Sequence, residues 1–389
     1  MAIDARRLKR YQHPTAESSG AAEGAHPPTD TDVLIGGMGN SGEGVALRMQ
    51  ALAYHEGVSI PVFGLNNDEL SPRPLAIRGR DRTETLLSLT NRLIFHDDHP
   101  RDQVRDYPLL AHRYRRLLRG IPVLETYPRA GHGGHGHPVI SALDMDLHID
   151  ALLAFLRQML RQVRDEPPDL AAARSDWERL RLTLQQRQGA QREKRIILIG
   201  GGSGSMGNAG HHLVPYLLRS LLADLGIQAY ELWGVILGPR AFTALTPFVQ
   251  HNYRALLESL EHLTVHGCTR DFVNGLHLAL PCPPYDRVFL MDDPRLPSAG
   301  TKVTEEELDT FLDQTALSLT LLLQGNVVQT IDSHLANPEQ SGLAEGGQLR
   351  YLQSVRGVVA GVNLDHLSQL LAAHLTVQMV QTIAQRMAA

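Results

Sequence analysis

The chain has 389 residues, 43% of them apolar, and its 37 Lys and Arg against 42 Asp and Glu give a formal net charge of −5. This length buries one large α/β core with a small appendage, and an acidic balance without a basic, aromatic-interleaved stripe excludes a general nucleic-acid binder. Cys268 and Cys282 form no disulfide framework, and neither a signal peptide nor an apolar run of membrane-spanning length is found, so the expected location is the cytoplasm.

Residues 1–30 combine the basic cluster Arg6, Arg7, Lys9 and Arg10 with Ala, Gly, Ser and Pro, the composition of a disordered basic tail; a solvated tail and a membrane or partner contact both stay open. Val33-Leu34-Ile35 then runs into Gly36-Gly37-Met38-Gly39-Asn40-Ser41-Gly42, followed by Val45, Leu47 and Met49 on a predicted helix. Gly37, Gly39 and Gly42 make a literal G-x-G-x-x-G at a strand-to-helix turn, the fingerprint of a dinucleotide-binding unit. That unit also requires an acidic residue about 20 positions on. Asp68 comes slightly late, after a strand predicted over Ser59–Phe63 and the run Gly64-Leu65-Asn66-Asn67. A P-loop NTPase is excluded, because no glycine loop carries G-K-[ST] and the only lysines are Lys9, Lys194 and Lys302.

His132, His135 and His137 lie among glycines and invite a zinc reading. Their spacing, without a second ligand pair, suits a closed tetrahedral site poorly, which leaves a loop whose histidines donate to phosphate or a mobile surface loop. Leu152, Leu156, Met159, Leu160 and Val163 share one face of a core helix. Residues 165–194 open on Pro167-Pro168, are heavily charged and include Trp177; they read as an exposed helical insertion.

The β-branched run Ile196-Ile197-Leu198-Ile199 empties into Gly200-Gly201-Gly202-Ser203-Gly204-Ser205-Met206-Gly207, and Leu213, Leu217, Leu218 and Leu221 follow at helical spacing. Strand, glycine loop and helix in that order bind anions. Glycine lets the backbone approach a phosphate, several N–H groups converge, the helix N-terminus adds a favourable dipole, and Ser203 and Ser205 supply hydroxyl donors. His211 and His212, just behind the loop, are expected on the helix surface. Two such loops suggest opposite sides of one nucleotide, whereas a dinucleotide reading leaves the second loop unexplained.

Gly200 to Ser205 resembles the glycine-rich signature loop of the tubulin and FtsZ superfamily, usually GGGTG followed by a small residue and a glycine; here Ser203 stands for Thr and Met206 precedes Gly207. The chain is more specifically similar, from about Val33 to the C-terminus, to prokaryotic tubulin-like proteins that are neither FtsZ nor true tubulins. The resemblance implies a first nucleotide loop at Gly37, Gly39, Asn40, Ser41 and Gly42, with Arg48-Met49 on the helix behind it. It implies a second loop at Asn66, Asn67 and Asp68, with Asp68 beside Mg²⁺ through water, and a third, phosphate-sensing loop at Ala130-Gly131-His132-Gly133-Gly134. Signature-loop contacts fall on Gly201, Gly202, Ser203, Gly204, Ser205 and Met206. Asn252 falls on a helix similar to one that begins with an Asn-Ala-Tyr-type run, and helices specific to the family are expected between Arg73 and Arg119.

Guanine recognition is implied at Asp293, which ends a strand predicted within Tyr285–Asp293, and at Asp309, which opens the central helix predicted from Thr304 to Gln324. Relatives commonly carry Asn at the first place, but a carboxylate accepts from both N1–H and N2–H of guanine. Glu305 stands where the family has an aromatic residue that stacks on the base. Asp309 reads equally as one of the acidic first-turn residues, with Glu305, Glu306 and Glu307, that favour the helix dipole. Hydrolysis in the superfamily uses a carboxylate from the loop after the central helix, acting on the next subunit's nucleotide. Asp332 is the candidate here, with an exposed loop aspartate as the alternative. Beyond a polar loop, a strand is predicted over Val355–Val362 and an amphipathic helix over Leu364–Met387.

The expected fold is α/β: a mostly parallel sheet with helices on both faces, a nucleotide-binding domain over 31–303, a central helix over 304–326 and a shortened C-terminal α+β part over 327–389. The expected function is a GTP-binding and GTP-hydrolysing tubulin-like protein, with GTP or GDP and Mg²⁺ as cofactors. Its activity would be completed by contact with a second copy or a related tubulin-like partner, in a filament or cytoskeletal role. The alternatives are a non-hydrolysing, nucleotide-dependent scaffold or regulator and, on the first glycine loop alone, an NAD(P)-dependent oxidoreductase.

Overall fold

Apolar runs too continuous for a half-exposed strand pair into one seven-stranded parallel sheet in the computed structural model of the chain. The structure describes residues 32–55, 57–78, 84–95, 104, 106–118, 134, 136–163, 194–242, 249–292, 303–323, 344–345, 348–349 and 352–354. The strands are β1 (Val33–Met38), β2 (Val62–Asn66), β3 (Arg92–Ile94), β4 (Lys194–Gly201), β5 (Tyr230–Leu237), β6 (Arg287–Met291) and β7 (Leu352–Ser354). They lie in the order β7-β6-β5-β4-β1-β2-β3. The chain therefore builds outward from β1 to β3, then returns to the other side of β1 and builds outward again.

Helices cover both faces, as expected. Leu34, Ile196, Leu198, Leu232 and Ile236 point into a core formed with α3 (Pro138–Leu147), α4 (Ile149–Gln162), α5 (Ser205–Asp224) and α6 (Val249–His266). Their neighbours Ile35, Ile197, Ile199, Trp233 and Val235 point the other way, against α1 (Gly39–His55) and α7 (Glu305–Leu323). The two-residue strand period thus fills two cores from one set of strands. A shorter helix, α2 (Pro108–Leu118), joins α3 through Leu110, Tyr114 and Leu143. The central helix and the buried face Leu152, Leu156, Met159, Leu160 and Val163 stand as the periodicity indicates.

Three sequence readings are corrected. The second strand spans Val62–Asn66 rather than Ser59–Phe63, because Gly64 lies inside it. A Cβ there would meet Leu89 at 2.9 Å and run into the Glu43 carboxylate, so this glycine makes room rather than a turn. The arginine-rich segment from Arg73 holds an antiparallel hairpin, Leu75–Arg78 with Glu84–Leu87, besides β3, and α2 is its one long described helix. Leu75 and Ile77 alternate inward at the strand period, which the surrounding arginines obscure. The last described strand of the sheet, not anticipated from the sequence, is Leu352–Ser354. The segments expected at Val355–Val362 and Leu364–Met387, like the insertion after Asp165, lie outside the described residues.

Finally, His211 is not on a helix surface. It is fully buried, and its Nδ1 lies 2.6 Å from the Tyr285 hydroxyl, because α5 is enclosed by the sheet on one side and by other helices on the other. Burial pushes His211 down to about 3 and, in the same direction, His212 down to about 4. A histidine held neutral in the fold and protonated when unfolded stabilises fully above its unfolded pKa, near 6.5. That contribution is lost as pH falls toward the folded value. Between pH 7 and pH 5, denaturant unfolding of the wild type should lose about 2 kcal/mol more than that of His211→Leu, the variant's own loss of the Tyr285 bond being the same at both pH values.

Candidate functional site

The sheet reverses its direction of growth between β1 and β4, and in open α/β sheets the crevice beyond the carboxyl ends of such a strand pair is where ligands bind. Both glycine loops leave from that pair. The register runs Met38 beside Gly200, after which β1 feeds α1 on one face and β4 feeds α5 on the other. Two helix N-termini therefore open into one crevice.

The loops touch. Gly39 has φ +73°, the left-handed conformation glycine tolerates, and a Cβ on it would lie 3.4 Å from Cβ of Met206 and 3.5 Å from the Gly207 nitrogen. A Cβ on Gly42 would run into the Ile199 carbonyl, so this glycine sets the depth at which α1 packs on β4. The G-x-G-x-x-G spacing thus has a steric cause at each of these positions. Ser41 is half-buried in the first turn of α1, and Asn40 is exposed.

The signature loop is built to donate. Gly204 caps α5 in an extended conformation (φ −76°, ψ 172°) with no side-chain cap, and neither α1 nor α5 has an acidic residue in its first turn. Among the described residues no acidic side chain compensates these helix-end N–H groups and their dipole. The Ser203 hydroxyl is buried, with 1% of the residue exposed, and among the described residues it has no hydrogen-bond partner. An unpaired buried hydroxyl is costly unless something else satisfies it. Ser205 Oγ accepts from the Gly134 N–H at 3.2 Å, which joins the described end of the third loop to this one. Gly201 and Gly202 line the strand end. Met206 lies in the core beneath the loop and can offer a ligand only its backbone.

The acidic side of the crevice is a network that sequence reading recovered in part. Asp68 accepts from Asn40 Nδ2 at 3.0 Å; Asn66 donates to Asn40 Oδ1 at 2.6 Å and to Glu43 at 3.1 Å. Glu43, fully buried, is gripped by Arg92 through two bonds of 2.9 Å. Burial nevertheless raises the Glu43 pKa against the pull of Arg92. Asn67 faces elsewhere, donating to Ser141 and Asp144 of α3. No group of three or more His, Cys, Asp or Glu side chains could hold a metal among the described residues. One half-exposed carboxylate, Asp68, at the mouth of a phosphate-type loop fits the way Mg²⁺ is usually held, by one or two carboxylates with phosphate and water completing the shell. Glu43 and Arg92 were missed because a glutamate inside a helix ordinarily points to solvent; the strand glycine opposite it was the available clue.

On the far side, Asp309 does not stand free. Arg48 of α1 donates to Asp309 at 2.7 Å and to Asp313 at 2.6 Å, tying the two helices together, while Asp309 keeps half its side chain exposed. Glu305 is paired with Arg73 on the surface. Asn252 donates to the Gly136 and Ser203 carbonyls, so its amide is spent on the loops themselves. Strand β6 ends at Met291, with Asp292 near Arg240 at 3.8 Å; burial, with this carboxylate nearby, pushes the Tyr253 hydroxyl up to about 12. Gly131, Gly133, Asp293 and Asp332 lie outside the described residues. No helix among the described residues is long and apolar enough to cross a membrane.

No protein-family model matches the chain, and no curated protein does. Solved structures similar to it include CetZ2 from Haloferax volcanii in a GTPγS-bound protofilament, with 14% identity, 75% of this chain and 58% of that chain covered, and a TM-score of 0.39. They also include TubZ of Bacillus thuringiensis serovar israelensis in GTPγS-form and GDP-form protofilaments. Both are 13% identical and cover 75% of this chain, with 56% and 54% of those chains covered and TM-scores of 0.36 and 0.35. The chain spans less than two thirds of each of these proteins. CetZ2 and TubZ are tubulin/FtsZ-family proteins.

Proposed function

We propose that the chain is a tubulin-like guanine-nucleotide-binding protein whose phosphates rest on the loops Gly39–Gly42 and Gly202–Ser205. The observation that carries this reading is the meeting of two donor-rich glycine loops at the point where the sheet reverses direction, with the buried Ser203 hydroxyl of the second loop lacking a partner among the described residues. A dinucleotide needs one such loop; a nucleotide clamped from both faces of the sheet uses both. Mg²⁺, when bound, offsets the phosphate charge on the Asp68 side. Guanine falls to Asp293 and Asp309, the latter shared with Arg48. Hydrolysis is completed when a second copy brings the carboxylate of Asp332 to this site.

A non-hydrolysing scaffold is the second reading, supported by the Arg48 pairing of Asp309 and by the charged Glu305. Freshly purified protein should release GDP or GTP on denaturation, identified by chromatography, and specific GTPase activity should rise with protein concentration. Bound guanine nucleotide with no turnover at any concentration selects the scaffold, and a nicotinamide or flavin dinucleotide overturns the proposal.

A further inference from the structure

We infer that Asn208 and Asn252 form a clamp that aims the backbone donors of the signature loop, an inference that rests on the anion-binding reading of that loop. Asn208 is buried, and its amide nitrogen donates to the Gly202 carbonyl at 2.8 Å and to the Asn252 carbonyl at 2.9 Å. Asn252 Nδ2 donates in turn to the Ser203 carbonyl at 3.1 Å and the Gly136 carbonyl at 2.6 Å. A primary amide has two N–H donors, so the side-chain donors of both residues are fully used on main-chain carbonyls.

The consequence follows from peptide geometry. In a planar trans peptide the carbonyl and the next residue's N–H point in opposite directions. Holding the Gly202 carbonyl against Asn208 turns the Ser203 N–H away from the clamp, and holding the Ser203 carbonyl against Asn252 does the same for the Gly204 N–H. The N–H before them, of Gly202, is already given to the Leu237 carbonyl at 3.0 Å. Among the described residues neither the Ser203 nor the Gly204 N–H has a backbone partner. Without the clamp either peptide can flip and present its carbonyl to the anion instead. The Gly136 bond carries the same restraint to the third loop. Asn208 and Asn252 are thus positioning residues, and neither needs to touch the ligand.

The test uses the full-length chain with inorganic pyrophosphate and guanosine as separate probes. Asn208→Asp keeps the shape but sets a carboxylate against two carbonyls; Asn252→Ala removes two bonds at a half-buried position and serves if the first variant does not fold. Pyrophosphate affinity should fall by about 30-fold in Asn208→Asp and about 10-fold in Asn252→Ala, on the scale of one or two hydrogen bonds. Guanosine affinity should change less than about twofold on the same scale, and the Gly204 amide resonance should lose its pyrophosphate-induced shift. Folded variants that bind pyrophosphate like the wild type, or that lose both probes equally, overturn the clamp. A wild type that binds neither pyrophosphate nor GTP overturns the anion-binding reading itself, and the clamp with it.

Discussion

Gly204→Val should fold like the wild type, with its thermal midpoint unchanged, and bind GDP or GTP at least about 100-fold more weakly, the loss of two to three charge-assisted hydrogen bonds. The backbone at Gly204 is in the extended region, which a β-branched residue adopts readily, and the nearest atom to an added Cβ is the Gly201 carbonyl oxygen at 3.9 Å. The protein therefore has room for the side chain. An incoming phosphate does not, because two methyl groups at the helix cap cover the N–H groups it would use. Gly207, three residues on, is the control. A Cβ there would come within 2.6 Å of the Gly201 oxygen and closer still to its nitrogen, forcing α5 off β4. Gly207→Ala is expected to cost about 3 kcal/mol, as overpacking against rigid backbone does. Equal affinity in Gly204→Val and wild type, measured by calorimetry, would remove the signature loop from the site.

The contrast between these glycines also shows how far the sequence was readable. Both loops, and the strands and helices flanking them, were legible because a β-branched run emptying into glycines and then into a 3.6-residue period leaves few alternatives. Their meeting was not. Placing the Met38 end of β1 beside Gly200 depends on strand order, which pairs residues more than 160 positions apart. Nor did the sequence distinguish glycines with room for a side chain, such as Gly204, from those that leave space for the protein, such as Gly36 and Gly64. A Cβ on Gly36 would strike Phe63 and reach Leu198 at 2.8 Å. The polar partners were harder still. Asn252 and Asp309 were picked out by resemblance as ligand contacts, whereas their observed bonds go to the Ser203 and Gly136 carbonyls and to Arg48. Side-chain amides and carboxylates near a site look alike in sequence whether they hold the ligand or hold what holds it.

The Glu43–Arg92 pair allows these two roles to be separated by experiment. Arg92→Ala leaves a carboxylate with no exposure and no counter-ion, and should cost about 3–5 kcal/mol at pH 7.5. The pH dependence identifies the cause. Burial already raises the Glu43 pKa above its unfolded value, and removing Arg92 raises it further, so the folded variant takes up a proton more readily than the unfolded chain. Stability should then fall as pH rises through that window, and the deficit of Arg92→Ala should shrink at pH 5.5. Replacing both partners, as Glu43→Leu with Arg92→Met, removes the buried charges and should restore most of the stability, since apolar substitutes for a buried pair are often neutral or better. It should not restore the site. Glu43 also accepts from Asn66, which orients Asn40 and through it Asp68, and Arg92 holds the Leu70 carbonyl at 2.9 Å and Ser71 at 2.6 Å behind the acidic loop. With those restraints gone, a stable double variant should bind magnesium–GTP about 10-fold more weakly, the equivalent of one well-placed hydrogen bond, while its affinity for GTP without magnesium stays near that of the wild type. Wild-type affinity in both conditions would mean that the pair serves the fold alone and that Asp68 takes no part in placing the metal.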